Sequence, residues 1–126
     1  MMPLAVLMNR NLCVVEPERT LKEAAQVMAR DRVGCLLVKQ GADYVGILSE
    51  TDIVRRALAE GLGPETCAVS QVMSAPIITI DVEQSITHAN EIMSAKKIRH
   101  LVVTERGEVV GIISVRDLVL YYKNRL

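Results

Sequence analysis

Apolar positions along the chain recur at two spacings, and the same order of spacings occurs twice. Leu21, Ala24, Ala25 and Met28 fall at i, i+3, i+4 and i+7, which predicts an amphipathic helix. Thr20 stands at its N-cap position, with Glu23 three residues on to complete a capping box. In the second half Ser85 takes the cap position, and Ile86, Ala89 and Met93 repeat the stripe with Ile92 beside it. Each helix is followed by two short apolar runs, Cys35 to Val38 and Tyr44 to Leu48, then Leu101 to Val103 and Val109 to Ile113. Gly41 and Gly107 lie in their connections, as hairpin turns require. Runs this continuously apolar predict strands buried on both faces. Ahead of each helix, a short apolar turn (Leu4 to Met8; Val69 to Met73) leads into a brief extended piece (Leu12 to Val15; Ile77 to Ile80). A second helix starts at Ser49 or Ser114. The first is expected to run to about Glu60 and stop at Gly61-Leu62-Gly63-Pro64, the other to the last residue.

The pattern is a true repeat. Val45-Gly46-Ile47-Leu48-Ser49-Glu50-Thr51-Asp52 returns as Val110-Gly111-Ile112-Ile113-Ser114-Val115-Arg116-Asp117, and Met8, Ala24, Met28 and Leu36 fall on Met73, Ala89, Met93 and Leu101 without a gap. Two copies are too few for a solenoid. The fold class is therefore α+β: two tandem β-α-β-β-α repeats, 4–60 and 69–126, joined by a linker at 61–68 and packed as a pseudo-two-fold module. Some 55 residues could not bury all their apolar faces alone, so the copies are expected to share the task.

Composition narrows the function classes. The apolar half of the chain is aliphatic, with no Phe or Trp and only Tyr44, Tyr121 and Tyr122, so an aromatic stacking platform for single-stranded nucleic acid is excluded. Fifteen basic residues balance fifteen acidic ones, leaving no global field to attract nucleic acid or an anionic membrane. Cys13, Cys35 and Cys67 are odd in number and lack metal-ligand spacing, which fits free thiols in a reducing compartment. The apolar opening is too short for a signal sequence, and no run reaches membrane-spanning length. A cytoplasmic protein without a membrane or nucleic-acid partner is expected. His88 and His100 stand apart from any Cys or acid at ligand spacing, and no nucleophile–base pair is visible, so neither a metal site nor an enzyme is expected.

Chemistry concentrates at the duplicated Ser-x-x-Asp, placed at each strand-to-helix junction. One reading is capping: Ser49 and Ser114 satisfy orphan amides, and Asp52 and Asp117 favour the positive helix end, worth roughly 1 kcal/mol per helix. The other is binding. A helix start presents free N–H groups to phosphate, and a carboxylate one turn in can accept both hydroxyls of a ribose. One carboxylate oxygen can serve each purpose.

These features together resemble the cystathionine-β-synthase (CBS) domain family, whose pairs repeat β-α-β-β-α with a hydrophobic-x-Gly-hydrophobic-hydrophobic-Ser/Thr-x-x-Asp motif before each last helix. Val69-Ser70-Gln71-Val72-Met73-Ser74 resembles the family's repeat opening, and Lys97-Ile98-Arg99-His100-Leu101-Val102-Val103 its basic stretch before the second strand. The resemblance covers about residues 4 to 125. It implies a non-catalytic regulatory module that binds AMP, ADP, ATP or S-adenosylmethionine in a cleft between repeats, without a tightly required cofactor, and that signals to an effector protein in trans. It assigns Asp52 and Asp117 to ribose, Ser49 and Ser114 to the hydroxyl position, and Thr51 and Arg116 to the phosphate side. Arg99 and His100 match basic positions that reach phosphates of a nucleotide held mainly by the other repeat, where the first copy has Gly34 and Cys35. Val15 and Pro17, with Thr79 and Val82, belong to segments that flank the adenine.

Two expectations follow. The two sites are unequal: the Asp52 site, served by Arg99 and His100, is expected to bind the tighter nucleotide, with the Asp117 site as the alternative if Arg116 dominates. Val115, Leu118, Val119 and Tyr122, with Ile53, Val54, Ala57 and Leu58, offer more apolar surface than one core needs, which points to a homodimer. The rival is a structural or oligomerisation module in which the aspartates only cap helices.

Overall fold

The long helix of each repeat begins where its capping residue stands. In the computed structural model, which describes residues 3–123, the Thr20 hydroxyl accepts the Glu23 N–H and the Glu23 carboxylate accepts the Thr20 N–H, closing the capping box that opens α2 (Leu21–Asp31). Ser85 accepts the His88 N–H to open α5 (Ile86–Lys96), without a return bond, because position 88 is not a carboxylate. Both helices end on a residue in the left-handed region, Arg32 and Lys97.

The remaining elements, in chain order, are α1 (Leu4–Leu7), β1 (Val14–Val15), β2 (Cys35–Gln40), β3 (Asp43–Ser49), α3 (Glu50–Asp52), α4 (Val69–Val72), β4 (Thr79–Asp81), β5 (His100–Glu105), β6 (Glu108–Ser114) and α6 (Val115–Lys123). β1 pairs parallel with β2 and β2 antiparallel with β3; β4, β5 and β6 repeat that arrangement in a second three-stranded sheet. Even the ladder irregularity repeats, at Val38/Lys39 and at Val103/Thr104. All four residues from Cys35 to Val38 are buried, as their unbroken apolar run predicts. The α+β class and the tandem repeat read from the sequence are borne out.

One element departs from expectation. The helix after Ser49 is α-helical only over Glu50–Asp52 and then widens into a π-helix, Ile53–Leu58, whereas α6 stays α-helical to Lys123. No Gly or Pro lies within residues 50–58 to announce the change. The expected end of α6 at the last residue lies outside the described residues.

The chain divides into two compact units, Cys13–Ile77 and Met1–Leu12 with Ile78–Leu126. These boundaries run nine residues behind the starts of the sequence repeats at both places. The opening of each repeat is thus handed to the sheet of the other. In the first unit α4 is tied to the start of α2 by bonds from Val69 N–H to the Arg19 carbonyl and from Ser70 N–H to the Pro17 carbonyl, and Ser74 then exchanges both backbone bonds with Ile47 of β3. In the second unit Asn9, following α1, exchanges the same pair with Ile112 of β6.

This handover explains the glycine of the repeated motif. A Cβ at Gly46 would stand 2.7 Å from Met73 Sδ and 2.9 Å from the Ser74 carbonyl oxygen; one at Gly111 would stand 2.7 Å from Met8 Sδ and 3.1 Å from the Asn9 carbonyl oxygen. The methionine of the arriving segment fills the missing side chain's place. Each unit has its own apolar core, Leu21, Ala24, Met28, Leu36, Val38 and Leu48 with Val69 and Val72 in one, and Ile86, Ala89, Met93, Leu101, Val103 and Ile113 with Leu4 and Met8 in the other. Full burial of a Val, Leu or Met side chain contributes roughly 2 kcal/mol, so the two residues brought in with each opening segment are a sizeable part of its attachment. The expected linker is not slack either: Cys67 is buried in the first core, and the Cys67 and Pro64 carbonyls accept the first N–H groups of α2.

Candidate functional site

Both Ser-x-x-Asp junctions close as capping boxes. At the β3–α3 junction Asp52 Oδ2 accepts the Ser49 N–H at 3.0 Å and Ser49 Oγ accepts the Asp52 N–H at 3.1 Å. At the β6–α6 junction the Ser114 N–H donates to Asp117 Oδ2 at 2.7 Å, the Ser114 hydroxyl donates to the same oxygen at 2.9 Å, and Ser114 Oγ accepts the Asp117 N–H at 3.2 Å. The residue just ahead of the neighbouring strand supports each junction: the Gly34 carbonyl, before β2, accepts the Glu50 N–H, and the Arg99 carbonyl, before β5, accepts the Val115 N–H.

The surroundings then diverge. Asp52 is buried, and its Oδ1 accepts the Ser74 hydroxyl at 3.1 Å. Arg56 Nη1 lies 3.9 Å from that oxygen and donates to the Met73 carbonyl at 3.1 Å. Ser74 was not among the residues read as functional from the sequence. Its position in a segment that crosses to β3 is a long-range fact, although its divergence from Asn9, its counterpart in the repeat, is visible. Asp117 is half-buried, and among the described residues its Oδ1 accepts no hydrogen bond. The Asn9 side chain turns instead to its own neighbour, accepting the Asn11 N–H.

Charge diverges as well. In the second unit the β6–α6 junction gathers Arg99 through its carbonyl, His100 as the strand partner of Ser114, and Arg116 in the first turn of α6. Arg99 and Arg116 are both exposed. The first unit has Gly34, Cys35 and Thr51 at the corresponding places, with Cys35 paired to Ser49. Burial, helped by the nearby Cys13 and Glu50, pushes the Cys35 thiol up to about 12, so it stays protonated and contributes no charge. Cys13 is also raised, by burial first and then by the neighbouring Asp31.

The residues expected to flank an adenine are placed on the first strand of each sheet or just after it. Val15 pairs with Val38 and is buried; Pro17 is buried, with its carbonyl taken by Ser70. Thr79 pairs with Val102 and is exposed, and Val82 donates its N–H to the Thr104 carbonyl. Val15 also lines an open groove of about 540 Å³ with Val14, Val27, Glu16, Arg19 and Lys39, where Arg19 is already paired with Glu16 and Glu23. Among the described residues no group of three or more His, Cys, Asp or Glu could hold a metal ion, and no helix is long and apolar enough to cross a membrane.

Comparison with known proteins agrees with the geometry. The CBS domain family model matches residues 5–59 and again 69–124. The CBS domain-containing protein YhcV of Bacillus subtilis is 32% identical over 111 residues, covering 88% of this chain and 79% of YhcV. The crystal structure of an uncharacterized conserved protein from Pyrococcus horikoshii superimposes with a TM-score of 0.90 at 31% identity, over 98% of this chain and 94% of that one. The hexameric CBS-CP12 protein of bloom-forming cyanobacteria gives 0.87 at 26% identity, over 94% and 70%. CBS-domain proteins are generally regulatory, ligand-sensing modules, those made of CBS domains alone generally regulatory rather than catalytic, and they often oligomerise. With both repeats matched over nearly their full length, the chain belongs to the CBS domain family as a tandem pair.

Proposed function

We propose that this chain senses an adenine nucleotide, AMP, ADP or ATP, at its Ser-x-x-Asp junctions and passes the occupied state to a partner protein. The observation that carries the reading is the duplicated carboxylate held one turn into a helix by its own serine. A carboxylate so placed is an acceptor for the vicinal hydroxyls of a ribose. At the β6–α6 junction the guanidinium of Arg116 and the positive end of α6 favour the phosphates, although the Val115 and Asp117 amides are already taken by the Arg99 carbonyl and Ser114 Oγ. Val15, Pro17, Thr79 and Val82 are suited to an adenine held between aliphatic surfaces and recognised by backbone groups, since no aromatic residue stands nearby in sequence. Assembly as a homodimer is part of the same proposal. Val115, Val119 and Tyr122 leave an exposed apolar stripe on α6, and Val54 and Leu58 one on the π-helix, while Leu118 and Ala57 from the expected stripe turn into the cores.

The capping bonds themselves favour a second reading, a structural module whose aspartates serve only the helices. One experiment separates the two. The purified chain is denatured and the released small molecules identified by mass spectrometry, and the stripped protein is titrated calorimetrically with AMP, ADP, ATP and S-adenosylmethionine. Saturable binding of one of the three nucleotides, weakened for its 2′,3′-dideoxy form, is expected. Binding of S-adenosylmethionine alone would replace the ligand, and no binding at all would leave the structural module.

A further inference from the structure

The two junctions carry one motif and put it to different uses. At Asp52 both carboxylate oxygens are engaged by the protein: Oδ2 by the Ser49 N–H, Oδ1 by the Ser74 hydroxyl, with Arg56 beside it and anchored to the Met73 carbonyl. The Asp52 side chain is only 10% exposed. No buried side-chain nitrogen or oxygen among the described residues lacks a hydrogen bond, so this cluster is saturated without a ligand. At Asp117 both Ser114 bonds converge on Oδ2, and the positions equivalent to Ser74 and Arg56 are Asn9, turned to Asn11, and Tyr121.

A hydroxyl donating to a carboxylate oxygen is what a ribose would supply. Ser74 supplies it to Asp52 from within the chain. A ribose arriving there would have to break a buried hydrogen bond and move the segment that Ser74 holds on β3, whereas at Asp117 the second oxygen accepts nothing from the described residues. At equivalent positions the second junction has Arg99 and Arg116 where the first has Gly34 and Thr51, and the first junction's own cation, Arg56, is turned onto Asp52 and the Met73 carbonyl.

Resting on the nucleotide reading above, we infer that the chain takes one nucleotide, at the Asp117 junction, and that Ser74 with Arg56 locks the Asp52 junction as an internally filled copy of the same site. This reverses the ranking expected from the sequence, which rested on Arg99 and His100 serving the Asp52 site.

The test is calorimetric titration of the full chain with AMP, for the native protein and for Asp117→Asn and Ser74→Ala. The native protein is expected to bind one AMP per chain. Asp117→Asn should weaken that event at least tenfold, and Ser74→Ala should add a second event. Two events of equal affinity in the native protein, or undiminished binding by Asp117→Asn, would overturn the inference. Amide shifts in the native protein give the same answer without any variant: AMP should move Ser114, Val115 and Arg116, and displacement of Ser49, Glu50 and Thr51 alone would overturn it. If no adenine nucleotide binds, the nucleotide reading fails instead, and with it the assignment to Asp117. The lock is then judged by melting temperature, where an unchanged value for Ser74→Ala would remove it too.

Discussion

Asp52 and Asp117 occupy equivalent positions in two copies of one motif, yet one is a buried hub and the other a helix cap with an oxygen to spare. Asp52 is held by Ser49, Ser74 and the neighbouring Arg56, so it joins α3 to the segment arriving after α4. Asp117 answers only to Ser114 among the described residues. Duplication made the two alike; what distinguishes them is the residue that each arriving segment brings, serine at 74 and asparagine at 9. Identity of a motif therefore does not carry identity of role when its partners come from elsewhere in the chain.

The largest effect expected from this contrast is on stability. Asp52→Ala leaves the Ser49 amide and the Ser74 hydroxyl without their acceptor and should cost about 3 kcal/mol. Asp117→Ala removes one cap and should cost about 1 kcal/mol. Urea denaturation of both variants measures the difference, and equal losses would erase the contrast.

Next come the glycines. Alanine at position 46 meets a carbonyl oxygen at 2.9 Å that is fixed in the β3 pairing, whereas at position 111 the corresponding oxygen stands at 3.1 Å. Gly46→Ala should therefore cost about 2 kcal/mol and Gly111→Ala nearer 1 kcal/mol, within the usual range for overpacking. A larger loss for Gly111→Ala in thermal melts would mean that the second unit, not the first, has the tighter crossing.

The smallest effect is in acid. The backbone N–H of Thr20, then its hydroxyl and Arg19, hold the Glu23 carboxyl below its ordinary range. A carboxylate lowered on folding contributes stability above its unfolded pKa, and that contribution is lost as pH falls through the folded value. Position 88 of the second repeat has no carboxylate, so acidification should relax the start of α2 and spare that of α5. Hydrogen exchange at the Glu23 and His88 amides, each donated to its cap hydroxyl, compared at neutral pH and below the carboxylate range, checks this. Parallel loss at both would show that the capping box is not its cause.

Much of the fold is legible in the sequence because its determinants are local. Thr20 with Glu23, Ser49 with Asp52 and Ser114 with Asp117 all lie within one helical turn, and the buried strand Cys35–Val38 announces itself by composition. What is not legible is long-range or depends on backbone detail. The bond from Ser74 to Asp52 spans 22 residues and requires knowing which sheet the segment after α4 joins. The π-helix over Ile53–Leu58 has no Gly or Pro to mark it. Within the expected linker 61–68 both Leu62 and Cys67 are apolar, and only the structure shows that Cys67 is the one packed into the core while Leu62 stays exposed.

The exchange of opening segments also sets an order of assembly. Everything that the Cys13–Ile77 unit contains has been synthesised once residue 77 is added, so this unit can close while the rest of the chain is still being made. Asn9 is made before this unit, yet the strand position that it pairs with, Ile112, is made after it. A segment made ahead of the Cys13–Ile77 unit must therefore wait until that unit is complete before its own strand partner exists.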